Sequence, residues 1–417
     1  MFQHAVPKRV RVLVLGGGIH GVGVLHDLVS RGWKDVHLIE KAGLANGTSS
    51  RSTKLIHGGL RYLKRISQFG MVSESLQERN FLLKAVPDIV YPVELILPIE
   101  RGHLINSFMM RAGLSLYDFL SGKYGIHKHQ TLSDDEARQK APILATDKFS
   151  HFFSFWDAQT DDLALVRRIA FSAVELGAGV TEQCRVLSLK HDADGWLAEV
   201  ENRDGQTNVI SALYVVNCLG PWANDFLEAS KIRPEVRGVK DKGSHLIIRD
   251  LGLKAGMFLE VPGDKRIMFV LPWQGVTLLG TTEESFESRP DEVRASDSEM
   301  DYLLMAANFY LKEPLTRKDI QATFAGVRWM VAEEGSDLSS TSRESALGEH
   351  VSNRGLLITV YGGKLTSYRL LAEKIGDRIT HHFGQFQATG TKDLSAWAKK
   401  ADSAIPGALE RFLSTDC

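Results

Sequence analysis

The feature that most limits how this chain can fold lies close to its start. Residues 10–15 are a short apolar run, and Gly16-Gly17-Gly18-Ile19-His20-Gly21 follows at once. This is a G-x-G-x-x-G turn between a strand and a helix, which the reading extends over residues 19–30 and closes at Gly32. The first glycine permits a tight turn, the second lets backbone approach a pyrophosphate, and the third lets helix pack on strand. The helix N-terminus offers unpaired N–H groups and a dipole that favours an anion. A second strand over residues 36–40 ends at Glu40, at the distance expected of an acceptor for ribose hydroxyls. Its charge would repel a 2′-phosphate, which excludes NADP. Gly16, Gly18, Gly21 and Glu40 are therefore candidate cofactor ligands, and the motif leaves FAD and NAD both open.

Two later segments extend the site. Asn46-Gly47-Thr48-Ser49-Ser50 places the small hydroxyl residues Thr48, Ser49 and Ser50 just after the acid, where they suit close approach to phosphates and a flavin ring. Gly362-Gly363-Lys364-Leu365-Thr366 opens a late helix. Aimed at a flavin pyrimidine, its N-terminus would stabilise negative charge on the reduced ring; the plain alternative is a turn before a helix. Between these segments the pattern predicts helices over residues 71–86, 103–120 and 162–177, the last capped by Asp162. Strands are predicted over 90–97, 214–218, 245–249, 267–271, 276–280 and 356–360. Dinucleotide-binding pieces thus sit at the start, around 187–224 and near 356–378. This predicts α/β and α+β architecture, a discontinuous cofactor domain with an antiparallel-sheet substrate domain inserted. The expected division is 1–85, 150–230 and 350–390 for the cofactor, 86–149 and 231–349 for the substrate, and a tail over 391–417.

Composition removes other classes. The 417 residues carry a net charge of −1, so nothing global favours nucleic acid, and anion binding must come from local Arg and Lys. Cys184, Cys218 and Cys417 fit neither a disulfide framework nor a zinc site, so no metal is expected and a reducing cytosol is. The N-terminus is not a signal peptide, and no run of eighteen apolar residues spans a membrane.

Residues 48–63, Thr-Ser-Ser-Arg-Ser-Thr-Lys-Leu-Ile-His-Gly-Gly-Leu-Arg-Tyr-Leu, carry a resemblance, with 54–63 its most specific part. With 14–23, 216–222, 242–245, 265–273, 280–283, 326–328 and 362–368, they resemble the FAD-dependent glycerol-3-phosphate dehydrogenases of the aerobic, membrane-associated type, over residues 11–371. The resemblance implies a glutathione-reductase-like, Rossmann-type FAD domain with an inserted antiparallel sheet, as in D-amino-acid oxidase-like flavoproteins. It implies Gly16, Gly18 and Gly21 at the pyrophosphate, Glu40 at the ribose, and Thr48, Ser49 and Ser50 on the flavin side. Gly220 would lie beside the phosphates, and Gly363, Lys364 and Thr366 at the isoalloxazine. The family's substrate groups fall on Arg61, Tyr62, His245, Arg328, Arg343 and Lys364. His20 and Trp329 stand where the family is expected to have Asn and Pro. The family's C-terminal helical domain is not expected here, which puts family-like dimerisation through it in doubt and leaves oligomerisation open. The insertion of the related glycerophosphate oxidases is not apparent.

The chemistry this implies is oxidation of glycerol 3-phosphate to dihydroxyacetone phosphate, the hydride passing from C2 to FAD and the electrons on to a quinone. His245 suits a base near neutrality. Arg61 and Arg343 suit a phosphate and Arg328 the reacting oxygen. An oxidase using oxygen and a catalytically silent FAD-binding subunit are the alternatives. Residues 103–120, apolar with cationic flanks, read equally as a core helix or as an amphipathic helix on an anionic membrane surface. The second reading predicts a peripheral protein on the inner face of the cytoplasmic membrane, beside a lipid-dissolved acceptor.

Overall fold

The computed structural model describes residues 2, 4–64, 68–101, 107–122, 125–264, 266–331, 345–352, 354–384, 387–398 and 408–414. The chain opens as β1 (Arg9–Leu15), α1 (Ile19–Ser30) and β2 (Val36–Glu40). Then come β3 (Leu55–Ile56), α2 (Phe69–Ala85), β4 (Val90–Glu100), α3 (Ser107–Ser121), β5 (Gln130–Leu132), α4 (Asp134–Lys140) and β6 (Phe149–Thr160). It returns through α5 (Asp162–Glu175), β7 (Gly179–Glu182), β8 (Arg185–Asp192), β9 (Gly195–Glu201), β10 (Thr207–Asn217) and α6 (Ala223–Ala229). A second excursion carries β11 (Gly238–Ile248), β12 (Gly256–Glu260), β13 (Ile267–Trp273), β14 (Val276–Gly280), β15 (Glu284–Ser285), α7 (Asp297–Asn308) and β16 (Ile320–Val331). The remaining elements are β17 (Ala346–Val351), β18 (Leu356–Tyr361), α8 (Tyr368–Phe383) and α9 (Ala408–Ser414).

Two sheets result. In the first the order is β17-β18-β10-β1-β2-β7, with β9 on β10 and β8 on β9. Strands β18, β10, β1, β2 and β7 are parallel. A parallel sheet is covered on both faces, so its strands are apolar on both sides. β1 does this residue by residue. Val12 and Val14 share a core with α1, α5 and α8, while Leu13 and Leu15 share another with β8, β9 and α6. Leu15 lies opposite both Ile39 and Asn217, so three strand C-termini end together at the glycine turn.

The second sheet runs β15-β11-β14-β13-β12-β4-β6-β3, with β16 on β11 and β5 on β6. Its outer face is closed by α7, whose Leu303, Leu304 and Ala306 pack with Leu246, Ile248 and Leu279. Its inner face carries His245, Phe258 and Phe269 toward the glycine turn of the first sheet, across a shared cavity. The mixed α/β and α+β architecture expected from the sequence is the one observed.

Several boundaries differ from the sequence reading. β6 covers residues from 149 and pairs along the length of β4, so it belongs to the second sheet although 150–160 were assigned to the cofactor part. β17 pairs with β18 in the first sheet, although 346–349 were assigned to the substrate part. Pairing partners are set by the assembled sheet, not by position along the chain. Asp161, not Asp162, caps α5, accepting from the Ala164 N–H at 2.9 Å. Asp162 is fully buried and holds Lys54 instead. His245 does not begin its strand. It lies deep in β11, whose first seven residues are too polar to show the alternation of a half-buried strand. Among the described residues no helix is long and apolar enough to cross a membrane, and no His, Cys, Asp and Glu group could hold a metal ion.

Candidate functional site

A cavity of about 840 Å³ lies between the sheets, within the range of roughly 300–1,000 Å³ usual for ligand sites. Its first wall is built from backbone. Gly16 has φ +100°, and a Cβ there would lie 2.7 Å from the Cys218 carbonyl oxygen. A Cβ on Gly21 would lie 1.9 Å from the Gly16 carbonyl oxygen, so α1 reaches β1 only with glycine at that position. Gly18 caps α1 with no side-chain bond, and the Ile19 N–H donates to Ser49 Oγ at 2.9 Å. Glu40 Oε2 accepts from the Gly17 N–H at 2.7 Å and Oε1 from the Ala42 N–H at 2.9 Å. Burial pushes the Glu40 carboxyl up, against these two bonds.

Gly16, Gly18, Glu40, Thr48, Ser49, Gly220, Gly363, Lys364 and Thr366 all line the cavity. Gly21 and Ser50 do not. Gly21 is buried in the strand–helix contact, and the Ser50 carbonyl accepts from Lys54 Nζ at 2.6 Å. Thr48 Oγ1 donates to the Val327 carbonyl at 2.6 Å, which ties this wall to β16. His20 is half-buried, packs against Gly363 at the cavity wall and is bonded to the Gly362 backbone. Burial lowers its pKa to about 4, so the ring is neutral at pH 7 and adds no charge beside the helix N-terminus.

The opposite wall is built from side chains on β11 and β16. Their register sets Asp241 against Arg328, Gly243 against Gly326 and His245 against Phe324. Arg328 Nη2 lies 2.6 Å from Asp241 and 3.9 Å from Glu283. The His245 ring stacks on Phe324, centroids 4.7 Å apart and planes 12° apart. Its Nε2 is 2.9 Å from Thr53 Oγ1. Burial above all, then the charges of Lys54 and Arg328, hold the His245 pKa well below the ordinary value. At a third side Tyr62 is flanked by two cations, with Lys364 Nζ at 4.2 Å and the Arg61 guanidinium at 5.6 Å from its ring. Arg343 lies outside the described residues.

Sequence reading missed Thr53, which lines the cavity, and Lys54, Asp162 and Asp241, which lie behind its lining and hold it in place. Lys54 and Asp162 are 108 positions apart and meet at 2.8 Å with no exposed side-chain surface. The conformation of Lys54, a non-glycine residue at φ +61°, has no local signal.

A profile of the DAO family, FAD dependent oxidoreductase, matches residues 11–369. The chain belongs to that family. As an FAD-dependent oxidoreductase it is 38% identical over 392 residues to D-erythritol 1-phosphate dehydrogenase of Brucella abortus, covering 93% of this chain and 77% of that one. It is 35% identical over 400 residues to aerobic glycerol-3-phosphate dehydrogenase of Escherichia coli, covering 95% and 76%. Its fold matches the glycerol-3-phosphate dehydrogenase from Bacillus halodurans complexed with FAD, with TM-score 0.75, 26% identity and coverage of 97% and 70%. The residues present fit FAD. The cavity of about 840 Å³ joins a helix N-terminus capped by glycine to the face that carries His245.

Proposed function

We propose that this FAD-dependent oxidoreductase oxidises the secondary alcohol of sn-glycerol 3-phosphate, giving dihydroxyacetone phosphate. The observation that carries the reading is that one cavity holds both a buried, neutral histidine and a tyrosine flanked by two cations. Bound FAD supplies the two-electron acceptor, taking the hydride from C2. We assign the pyrophosphate to Gly16 and Gly18 with the α1 N-terminus, the ribose to Glu40, and the flavin side to Thr48, Ser49, Gly363 and Thr366, with Gly220 beside the phosphates.

His245 takes the hydroxyl proton. Burial and two neighbouring cations keep its ring neutral near pH 7, so it is free to accept. Arg61 and Lys364 hold the phosphate beside Tyr62, and Arg343 joins them in this assignment. Arg328, oriented by Asp241, faces the reacting oxygen. Anaerobic addition of glycerol 3-phosphate should bleach the flavin, and glycerol should do so only far more slowly. Persistent yellow colour would leave only a flavin-binding role.

A second substrate, a phosphorylated four-carbon polyol, is favoured by the 38% identity to the Brucella abortus enzyme. Comparing kcat/KM for D-erythritol 1-phosphate and glycerol 3-phosphate decides between them. The acceptor we assign is a quinone, and peroxide yield in air distinguishes it from oxygen. α3 supports attachment to an anionic membrane surface. It exposes Phe108 (77%), Met109 (59%) and Phe119 (79%), and buries Leu114 and Tyr117. Flotation with anionic vesicles should recover the protein, and Phe108→Glu with Met109→Glu should abolish recovery while dye-linked activity stays.

A further inference from the structure

His245 is poorly placed to meet a substrate directly. The residue is 2% exposed, and its Nδ1 is buried without a hydrogen-bond partner. One ring face lies on Phe324, and Gly280 closes on the Cδ2 edge, where an added Cβ would come within 2.1 Å. That leaves Nε2, and Nε2 meets Thr53 Oγ1 at 2.9 Å. Thr53 is half-buried and itself lines the cavity.

The backbone around Thr53 is clamped from both sides. Ser52 Oγ donates to Asp162 Oδ2 at 2.7 Å. Lys54 Nζ donates to both oxygens of the same carboxylate, at 2.8 and 2.9 Å, and to the Ser50 carbonyl at 2.6 Å. The ammonium is boxed by the rings of Trp273, Phe324 and Phe412 at 5.1–5.2 Å. Residues 52 and 54 are thus anchored to one buried carboxylate at the start of α5, and the residue between them turns its hydroxyl to His245. With both its neighbours tied to one buried carboxylate, Thr53 has little freedom to turn away from His245.

We propose that Thr53 is a catalytic residue, the hydroxyl through which the substrate proton reaches His245. This rests on the assignment of His245 as the base. The substrate O–H donates to Thr53 Oγ1, and Thr53 donates its own proton to Nε2. When the substrate O–H bond breaks, its proton forms the new Thr53 O–H bond and the former Thr53 proton forms the N–H bond on His245. The threonine is unchanged, and the net transfer is one proton from substrate to imidazole. The charged groups around the ring are Lys54, paired with Asp162, and Arg328, paired with Asp241 and near Glu283. Burial and the two cations disfavour a charge on the ring before the substrate proton arrives, so Nε2 is open to accept from Thr53.

The test uses the flavin-loaded protein, with anaerobic flavin reduction by glycerol 3-phosphate followed in H₂O and D₂O. Thr53→Val keeps shape and removes the hydroxyl, so reduction should slow by about 10²-fold, while Thr53→Ser should stay within a few-fold of the parent. Flavin absorbance and melting temperature should be unchanged in both. A proton inventory should curve in the parent, with two protons moving, and lose that curvature in Thr53→Val. The double variant Thr53→Val/His245→Ala should be no slower than His245→Ala. Parent-like rates in Thr53→Val, or additive losses in the double variant, would overturn the relay. If His245→Ala itself reduces flavin at the parent rate, it is the base assignment that fails.

Discussion

The two walls of the cavity are made differently. On the first wall the contacts come from backbone: a glycine turn, a helix N-terminus capped by glycine, and a carboxylate already holding two N–H groups. On the second they come from side chains set in register on β11 and β16, and from a loop pinned to a buried ion pair. A backbone wall recognises what every nucleotide shares and tolerates changes in side chains. A side-chain wall decides which substrate reacts, and one lost group is felt at once.

The largest effect should come from the second wall. His245→Ala is expected to lower kcat by about 10²–10⁴-fold with FAD retained, measured by steady-state rates with a soluble dye and by flavin absorbance. Loss of flavin together with activity would erase the distinction between the walls. On the first wall Gly21→Ala should do the reverse. Its Cβ would meet the Gly16 carbonyl, a backbone atom that cannot step aside. Overpacking of this kind costs about 1–3 kcal/mol, so the protein should melt earlier and be recovered with little flavin. Full flavin occupancy at the parent melting temperature would contradict the close approach of α1.

Selectivity should break next. Each charge-assisted phosphate bond contributes roughly 1.5–3 kcal/mol, so Lys364→Met should raise KM for glycerol 3-phosphate by about 10–100-fold. Turnover of unphosphorylated glycerol should hardly change. Equal losses on both would make Lys364 structural.

The smallest effect sharpens the comparison through pH. Folded His20 takes up its proton only near pH 4, whereas the unfolded chain does so near 6.5. The unfolded state therefore binds more protons across this window, and stability falls as the pH drops through it, by at most about 1.4 kcal/mol per unit for one group. His20→Asn should flatten that fall by up to this amount in urea melts between pH 7 and 5. His26 and His37, also lowered to about 4, and His245, held well below its ordinary value, retain slope of the same sign, and Asp27, raised to about 6, opposes it. An unchanged slope would mean that His20 is solvated in the folded protein.

The sequence by itself determined the first wall, because its chemistry is local. A tight turn, a close approach and an acid one strand later are adjacent requirements, and α1, β2 and β14 fall where periodicity puts them. It also brought forward His245, Arg61, Tyr62 and Lys364, through a resemblance concentrated in a few short segments. Only the tertiary structure decided how the second wall is assembled. Lys54 meets Asp162 across 108 positions, Thr53 meets His245 across 192, and Asp241 meets Arg328 through the register of β11 on β16, the polar start of β11 hiding its alternation. It also set Asp161 rather than Asp162 as the cap of α5, because a buried ammonium claims the second carboxylate. A buried charge must find its partner wherever the fold brings one, and no spacing along the chain encodes that meeting.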